Sequence, residues 1–215
     1  MNTFLVLPAY NEKKGLTDLL PSLTKLPYSI LIVDDCSTDG TTEILRAFSQ
    51  INVLSNKINL GYAQSLLIGI DKAFSMGASH VITLDSDGQH PLHAIGEISD
   101  FLISGSECVL TIRNGIKPRF SEWLIAFISS KLWGVPDLYS GMRGFSRNFW
   151  QMYFMSNFVT SCLEYPFVHA LLSGLRPDIV VIKPLSRIEG TPRFAARLSA
   201  DFIIVKSFLK SIFSK

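Results

Sequence analysis

Short aliphatic runs alternate with helix-length amphipathic patterns along the first half of the chain. Phe4–Leu7, Ile30–Val33, Val53–Leu54, Val81–Leu84 and Val109–Ile112 are rich in β-branched residues and predict buried strands. Between them, Leu16, Leu19, Leu20 and Leu23, then Ala63, Leu66, Leu67, Ile70, Ala73 and Phe74, recur at the spacing of one helix face. Thr38 or Asp39 is placed to cap a helix over Thr41–Phe48. This alternation predicts an α/β fold with a mainly parallel, Rossmann-like sheet covered by helices on both faces. After Arg113 the pattern changes. A loop, Gly115–Pro118, leads to an amphipathic helix over Phe120–Leu132, with Trp123, Phe127 and Ile128. A loop with Pro136, Gly141 and Gly144 follows, then aromatic-rich helices to Gly174, a strand at Ile179–Ile182 and a helical tail from Ala195.

Composition narrows the class. The chain has 215 residues, 47% of them hydrophobic, which suits one large domain and excludes disorder. A net charge of +2, without a run of basic residues, is no nucleic-acid signature. Cys36, Cys108 and Cys162 lie far apart, which argues against a disulfide framework or a cysteine-rich zinc site and fits a reducing, cytosolic compartment. Met1–Pro8 lacks the basic start of a signal peptide. No stretch is long and apolar enough to span a bilayer. Yet the mean hydropathy of +0.29 is high for a soluble protein, with much of the excess in the last third, so contact with a membrane without crossing it is expected.

Ligands on parallel α/β sheets bind beyond the carboxyl ends of the strands. Three polar clusters follow strands directly: Tyr10-Asn11-Glu12, Asp34-Asp35 and Asp85-Ser86-Asp87. In extended chain Asp85, Asp87 and Gln89 share one side, and three hard oxygens suit Mg2+ or Mn2+. A capped strand-to-helix turn is the plainer alternative, and the company of two other acidic strand ends favours the metal. An acidic side chain at the other clusters accepts hydrogen bonds from base or ribose, and Tyr10 offers a stacking face. Turn chemistry explains such Asp/Ser/Thr/Gly clusters equally well. The glycine patterns of dinucleotide folds and P-loops are absent from the sequence.

Several stretches together resemble family-two glycosyltransferases of the GT-A fold. They are Leu7-Pro8-Ala9-Tyr10-Asn11-Glu12, Ile32-Val33-Asp34-Asp35 with Ser37-Thr38-Asp39-Gly40-Thr41, Asn59-Leu60-Gly61, and Leu84-Asp85 with Asp87-Gly88-Gln89-His90-Pro91. Asp137 with Ser140-Gly141-Met142-Arg143, and Arg187, Gly190 and Arg193, are similar to motifs of the dolichol-phosphate mannose synthase-like, or polyprenyl-phosphate glycosyltransferase, branch. Cys36 stands where the family has glycine, Met142 where it has phenylalanine, and Arg193 where it has lysine.

The resemblance implies a glycosyltransferase domain over 1–194, with a nucleotide-sugar half (1–112) and an acceptor half (113–194), followed by an amphipathic C-terminal helix (195–215). It implies Pro8, Tyr10, Glu12, Val33 and Asp35 at the nucleoside, and Asp85, Asp87 and Gln89 at a Mg2+ or Mn2+ ion. Arg113, Arg187 and Arg193 would meet the donor diphosphate and the acceptor phosphate, with Arg119 a weaker candidate. Arg143 is expected to hold the Asp137 loop, and His90 to orient Gln89 or cap the next helix. The implied reaction moves a hexose-type sugar, with inversion, from a nucleotide-diphosphate sugar to a polyprenyl phosphate. A phosphate acceptor is already ionised, its second pKa being about 6, so no general base is needed. The rivals are a family-two enzyme with a hydroxyl acceptor, for which Glu164 or Asp137 would be the base, and a non-enzymatic nucleotide-binding relative. The Phe120–Leu132 stripe is expected either in the core or at the polyprenyl groove and bilayer. Residues 195–215 are expected either to lie on anionic headgroups, holding the protein peripherally at the cytoplasmic face of a membrane, or to pack on the sheet as a terminal helix with solvated lysines, a partly packed tail satisfying both.

Overall fold

The computed structural model describes residues 2–115, 117–154, 165–186 and 200–213. Among the described residues seven strands form one sheet: β1 (Thr3–Ala9), β2 (Ser29–Asp34), β3 (Ile51–Ser55), β4 (His80–Thr83), β5 (Cys108–Arg113), β6 (Arg143–Ser146) and β7 (Asp178–Ile182). Their order is β3-β2-β1-β4-β6-β5-β7. All run parallel except β6, which lies antiparallel between β4 and β5. Helices α1 (Lys13–Leu23), α2 (Thr41–Arg46) and α4 (His93–Ile103) bury their leucine and isoleucine stripes on one face. The other face is covered by α3 (Tyr62–Ser75), α5 (Phe120–Trp133), α7 (Tyr165–Leu172) and α8 (Ala200–Phe213), with one turn of helix, α6 (Arg147–Phe149), running into a π-helical turn, Trp150–Phe154. The expected α/β class with helices on both faces is therefore the fold of the chain.

Two local features place the site. Pro8 sits inside the buried strand β1, although it has no N–H to give a neighbouring strand. β4 has already left β1 there: the pairing ends at Val6 with Thr83, and Leu84 N donates to Val6 O as β4 turns away. The second feature is β6, which sequence patterning reads as loop because Arg-Gly-Phe-Ser lacks a β-branched run. Gly144 in its middle admits Ile98 and Leu102 of α4 against the backbone. Thr83 and Thr111 hold the approach to β6, their hydroxyls donating to Gly141 O and Met142 O at 2.7 Å each.

Helix α5 spans the expected residues and starts on a capping box between Arg119 and Glu122. Its inward line is Ser121, Ile125 and Ser129, while Phe120, Trp123, Leu124, Phe127 and Leu132 are exposed. In the tail helix α8, Ile204 and Phe208 are buried and Phe202 and Leu209 are exposed, so one side packs on α5 and α7. The Asp201 carboxylate ties the two helices, accepting from Arg119 Nη2 at 2.7 Å and from the Ser121 hydroxyl. The Arg119 guanidinium and the Ser121 donors draw the Asp201 pKa down to about 2. Arg119 is thus committed to α8. Among the described residues no helix is long and apolar enough to cross a membrane.

Candidate active site

The carboxyl ends of β1, β2 and β4 lie side by side, and the loops that leave them are laced together. Asn11, in the left-handed region at φ 51°, donates its N–H to Ser37 Oγ (2.9 Å), and its side-chain oxygen accepts the Thr38 N–H at 2.7 Å. Glu12 N donates to Thr41 Oγ1 at 3.0 Å. Asp39 caps two helices at once, accepting from Thr41 N (3.0 Å) and Thr41 Oγ1 (2.6 Å) on α2 and from Lys13 N (3.1 Å) on α1. The Tyr10–Glu12 and Asp34–Thr41 clusters are therefore one structure, with Tyr10 and Glu12 at its surface and Pro8 and Val33 buried beneath. The Val33 side chain meets α3 at Gly69, where an added Cβ would stand 2.7 Å from it.

Asp35 is buried and fully engaged. Its Oδ1 accepts from Asn56 Nδ2 and Leu60 N, and its Oδ2 from Gly61 N, each at 2.8 Å. Burial works to raise its pKa; the donors at Leu60, Asn56, Ser65 and Gly61 outweigh it and hold the carboxyl below its usual value. Asp35 thus anchors the Asn56–Gly61 loop.

That loop delivers Tyr62, the first residue of α3, whose hydroxyl donates to Asp85 Oδ1 at 2.7 Å. The other oxygen, Oδ2, lies 3.0 Å from His90 Nε2. Burial raises the Asp85 pKa, and the bonds from His90 and Tyr62 more than reverse it. His90 therefore serves Asp85, where the sequence suggested Gln89 or a helix cap. Asp87 Oδ1 accepts the Gln89 N–H at 3.0 Å. Gln89 reaches β7's end, its carbonyl accepting from Leu185 N at 2.9 Å and its amide donating to Leu185 O at 3.5 Å. Gly15 of α1 makes the opposite wall: an added Cβ would come within 2.8 Å of Ser86 O.

Across the edge, Arg113 ends β5 with its guanidinium spread over Asp137, Nε to Oδ2 at 2.7 Å and Nη2 to Oδ1 at 3.0 Å. Burial opposes that charge, and Asp137 more than compensates, raising the Arg113 pKa. Arg143 is buried, donating from Nε to Ser140 O (2.8 Å) and from Nη2 to Leu138 O (2.7 Å), and so holds the Asp137 loop as expected. The structure brings Pro8, Tyr10, Glu12, Val33, Asp35, Asp85, Asp87, Gln89 and Arg113 to one edge; Arg187, Arg193 and Glu164 lie outside the described residues. Sequence reasoning missed Tyr62 and the steric part of Gly141, though Asn59-Leu60-Gly61 stands directly before the former.

Among the described residues no three His, Cys, Asp or Glu side chains converge as a metal cage. Two carboxylates and an amide on one loop could hold Mg2+ or Mn2+, with phosphate oxygens and water completing the shell, the usual habit of Mg2+. Both Asp85 oxygens already accept one hydrogen bond, and a carboxylate oxygen has a second lone pair to give.

A seven-stranded, mainly parallel α/β sheet with acidic loops at one carboxyl edge agrees with the expected GT-A fold. The sequence model for glycosyl transferase family 2 matches residues 4–162, and the chain belongs to that family. It is 29% identical over 174 residues to a UDP-N-acetylglucosamine–dolichyl-phosphate N-acetylglucosaminyltransferase of Methanococcus voltae, covering 67% of this chain and 69% of the relative. It is 31% identical over 131 residues to an undecaprenyl-phosphate 4-deoxy-4-formamido-L-arabinose transferase of Aeromonas hydrophila, covering 55% of this chain and 38% of that one. The chain thus spans little more than a third of the latter relative. The fold matches glucosyl-3-phosphoglycerate synthase from Mycobacterium tuberculosis, solved with Mn2+, UDP and phosphoglyceric acid, at a TM-score of 0.75 with 19% identity, over 99% of this chain and 78% of that one.

Proposed function

We propose that this chain transfers a hexose-type sugar, with inversion, from a nucleotide-diphosphate sugar to a polyprenyl phosphate at a membrane surface. The observation that carries the choice of acceptor is the Arg113–Asp137 pair. A hydroxyl acceptor needs a base beside it, and Asp137, one of the two carboxylates the sequence offered for that task, has both oxygens bound by a guanidinium. An ionised phosphate needs charge and position only. The relatives named for dolichyl and undecaprenyl phosphate support the same acceptor class.

Residues 1–112 would bind the donor, with Tyr10, Glu12 and Asp35 at the nucleoside over a floor of Pro8 and Val33. Asp85, Asp87 and Gln89 would hold Mg2+ or Mn2+, which supplies positive charge where the diphosphate leaves. Arg113 keeps its remaining N–H groups for phosphate while steadying the Asp137 loop. Residues 113–194 would bind the acceptor, with Arg187 and Arg193 at its phosphate. The outward face of α5, where Phe120, Trp123 and Phe127 stack with ring centroids 6.1 and 6.3 Å apart, would lie in the bilayer interface beside Phe202 and Leu209 of α8. Exposed Lys131 and Lys206 would meet anionic headgroups. The protein would then be peripheral at the cytoplasmic face of a membrane.

The test is a panel of UDP- and GDP-sugars, with Mn2+ or Mg2+, against a short-chain polyprenyl phosphate, the matching polyprenol and free sugars. Product with the phosphorylated lipid alone is the expected result. Product on the polyprenol or a free sugar at comparable rate would establish a hydroxyl acceptor, and nucleotide binding without turnover would establish a non-enzymatic relative.

A further inference from the structure

A carboxylate turns easily about its last torsion, so a ligand carboxylate that must meet a cation in one orientation needs its oxygens held. At Asp85 both are held from outside its own loop's backbone: Tyr62 Oη at 2.7 Å on Oδ1 and His90 Nε2 at 3.0 Å on Oδ2. Gly141 closes a third side, leaving no room for a Cβ against either oxygen.

Neither partner is explained by packing. The His90 ring is buried at 7% exposure, and its second nitrogen, Nδ1, is buried without a hydrogen-bond partner. An orphaned buried nitrogen costs stability that an apolar side chain of similar size would not. The bond from Nε2 to Asp85 is what the imidazole supplies in return. Tyr62 is the reverse case, a ring 46% exposed at the start of α3 that contributes little to the core. Its position is nevertheless fixed. Leu60 N and Gly61 N both donate to the buried Asp35, and Gly61 turns the chain at φ 86° immediately before Tyr62.

We propose that Tyr62 and His90 are positioning residues that clamp the Asp85 carboxylate toward the donor diphosphate and its divalent ion, with Asp35 setting the Tyr62 half of the clamp through the Leu60–Gly61–Tyr62 corner. The inference rests on the donor site proposed above. It joins the nucleoside side of the edge to its diphosphate side through three consecutive residues, so that an error at Asp35 is felt at Asp85.

Outer partners of metal ligands are worth about 10–100-fold in metal affinity. Tyr62→Phe removes one oxygen and keeps the ring. Calorimetric titration of Mn2+ into the protein with UDP or GDP should give affinity about tenfold weaker for Tyr62→Phe, with the melting temperature unchanged. His90→Gln, whose amide nitrogen reaches the place of Nε2, should retain more Mn2+ affinity than His90→Leu. In an Asp85→Ala background, which removes the acceptor itself, Tyr62→Phe should lower the remaining Mn2+ affinity no further. Wild-type Mn2+ affinity in Tyr62→Phe, or the same loss with and without Asp85, would overturn the clamp alone. Failure of the unsubstituted protein to bind Mn2+ with either nucleotide would overturn the donor site on which it rests.

Discussion

Gly141 owes its place to the carboxylate it faces: a Cβ there would lie 2.6 Å from Asp85 Oδ2 and 2.7 Å from Oδ1. The obstructing atoms end a side chain that can turn only by giving up its bonds from Tyr62 and His90, so Gly141→Ala is expected to fold with a loss of about 1–3 kcal/mol while turning Asp85 out of line. Binding of Mn2+ with UDP or GDP should weaken about tenfold or more, read beside a melting curve; unaltered binding would show that Asp85 needs no such clearance. Gly69 is the contrasting case, because its Cβ would meet Val33 and Val6 of the central strands, which cannot move aside. At this scale the sequence exposes residues whose chemistry is their own. Asp85, Asp87 and Asp35 announce themselves as carboxylates after strands. Tyr62, Gly141 and the Asp85 bond of His90 do not, because their roles come from chain segments brought in from 23 to 56 positions away or folded back within one loop. Arg113 is legible as a cation, but its pairing with Asp137, 24 residues on, needs the fold.

Helix α5 shows how periodicity alone can leave a face unassigned. Trp123, Leu124, Phe127 and Leu132 recur as a core stripe would, yet the buried line is Ser121, Ile125 and Ser129. Ser121 meets α8 through a bond to Asp201, and the larger apolar residues are left outward. The same division splits the tail, where Ile204 and Phe208 face in while Phe202 and Leu209 face out. A charge at Phe127, 56% exposed, should therefore leave folding within about 0.5 kcal/mol of wild type and remove protein from anionic liposomes. Sedimentation with vesicles of mixed neutral and anionic lipid measures this: Phe127→Glu is expected in the supernatant, with nucleotide binding intact. Equal sedimentation of wild type and variant would take the aromatic face away from the membrane. Strand β6 was invisible for a different reason. Its four residues form a strand because β4 and β5 pair with it from either side and Gly144 at its centre lets α4 pack against the backbone.

Over the whole molecule, the alternation of strands and helices was enough for the fold class, since a parallel sheet buried on both faces demands it. The same topology sends the ends of β1, β2 and β4 to one edge, and the acidic clusters follow by necessity. What the topology adds is the way these clusters hold one another: Asn11 and Asp39 lock the first two, Asp35 and Tyr62 reach from the second to the third, and Gln89 ties the third to the end of β7. The function proposed for this interlocked edge is metal-assisted sugar transfer, and it depends most on Asp87. The rate of sugar transfer to a short-chain polyprenyl phosphate, compared between wild type and Asp87→Asn at saturating Mn2+, tests it most directly. A fall of at least ~100-fold with unchanged melting temperature is the expected result; a near-normal rate in Asp87→Asn would contradict the account.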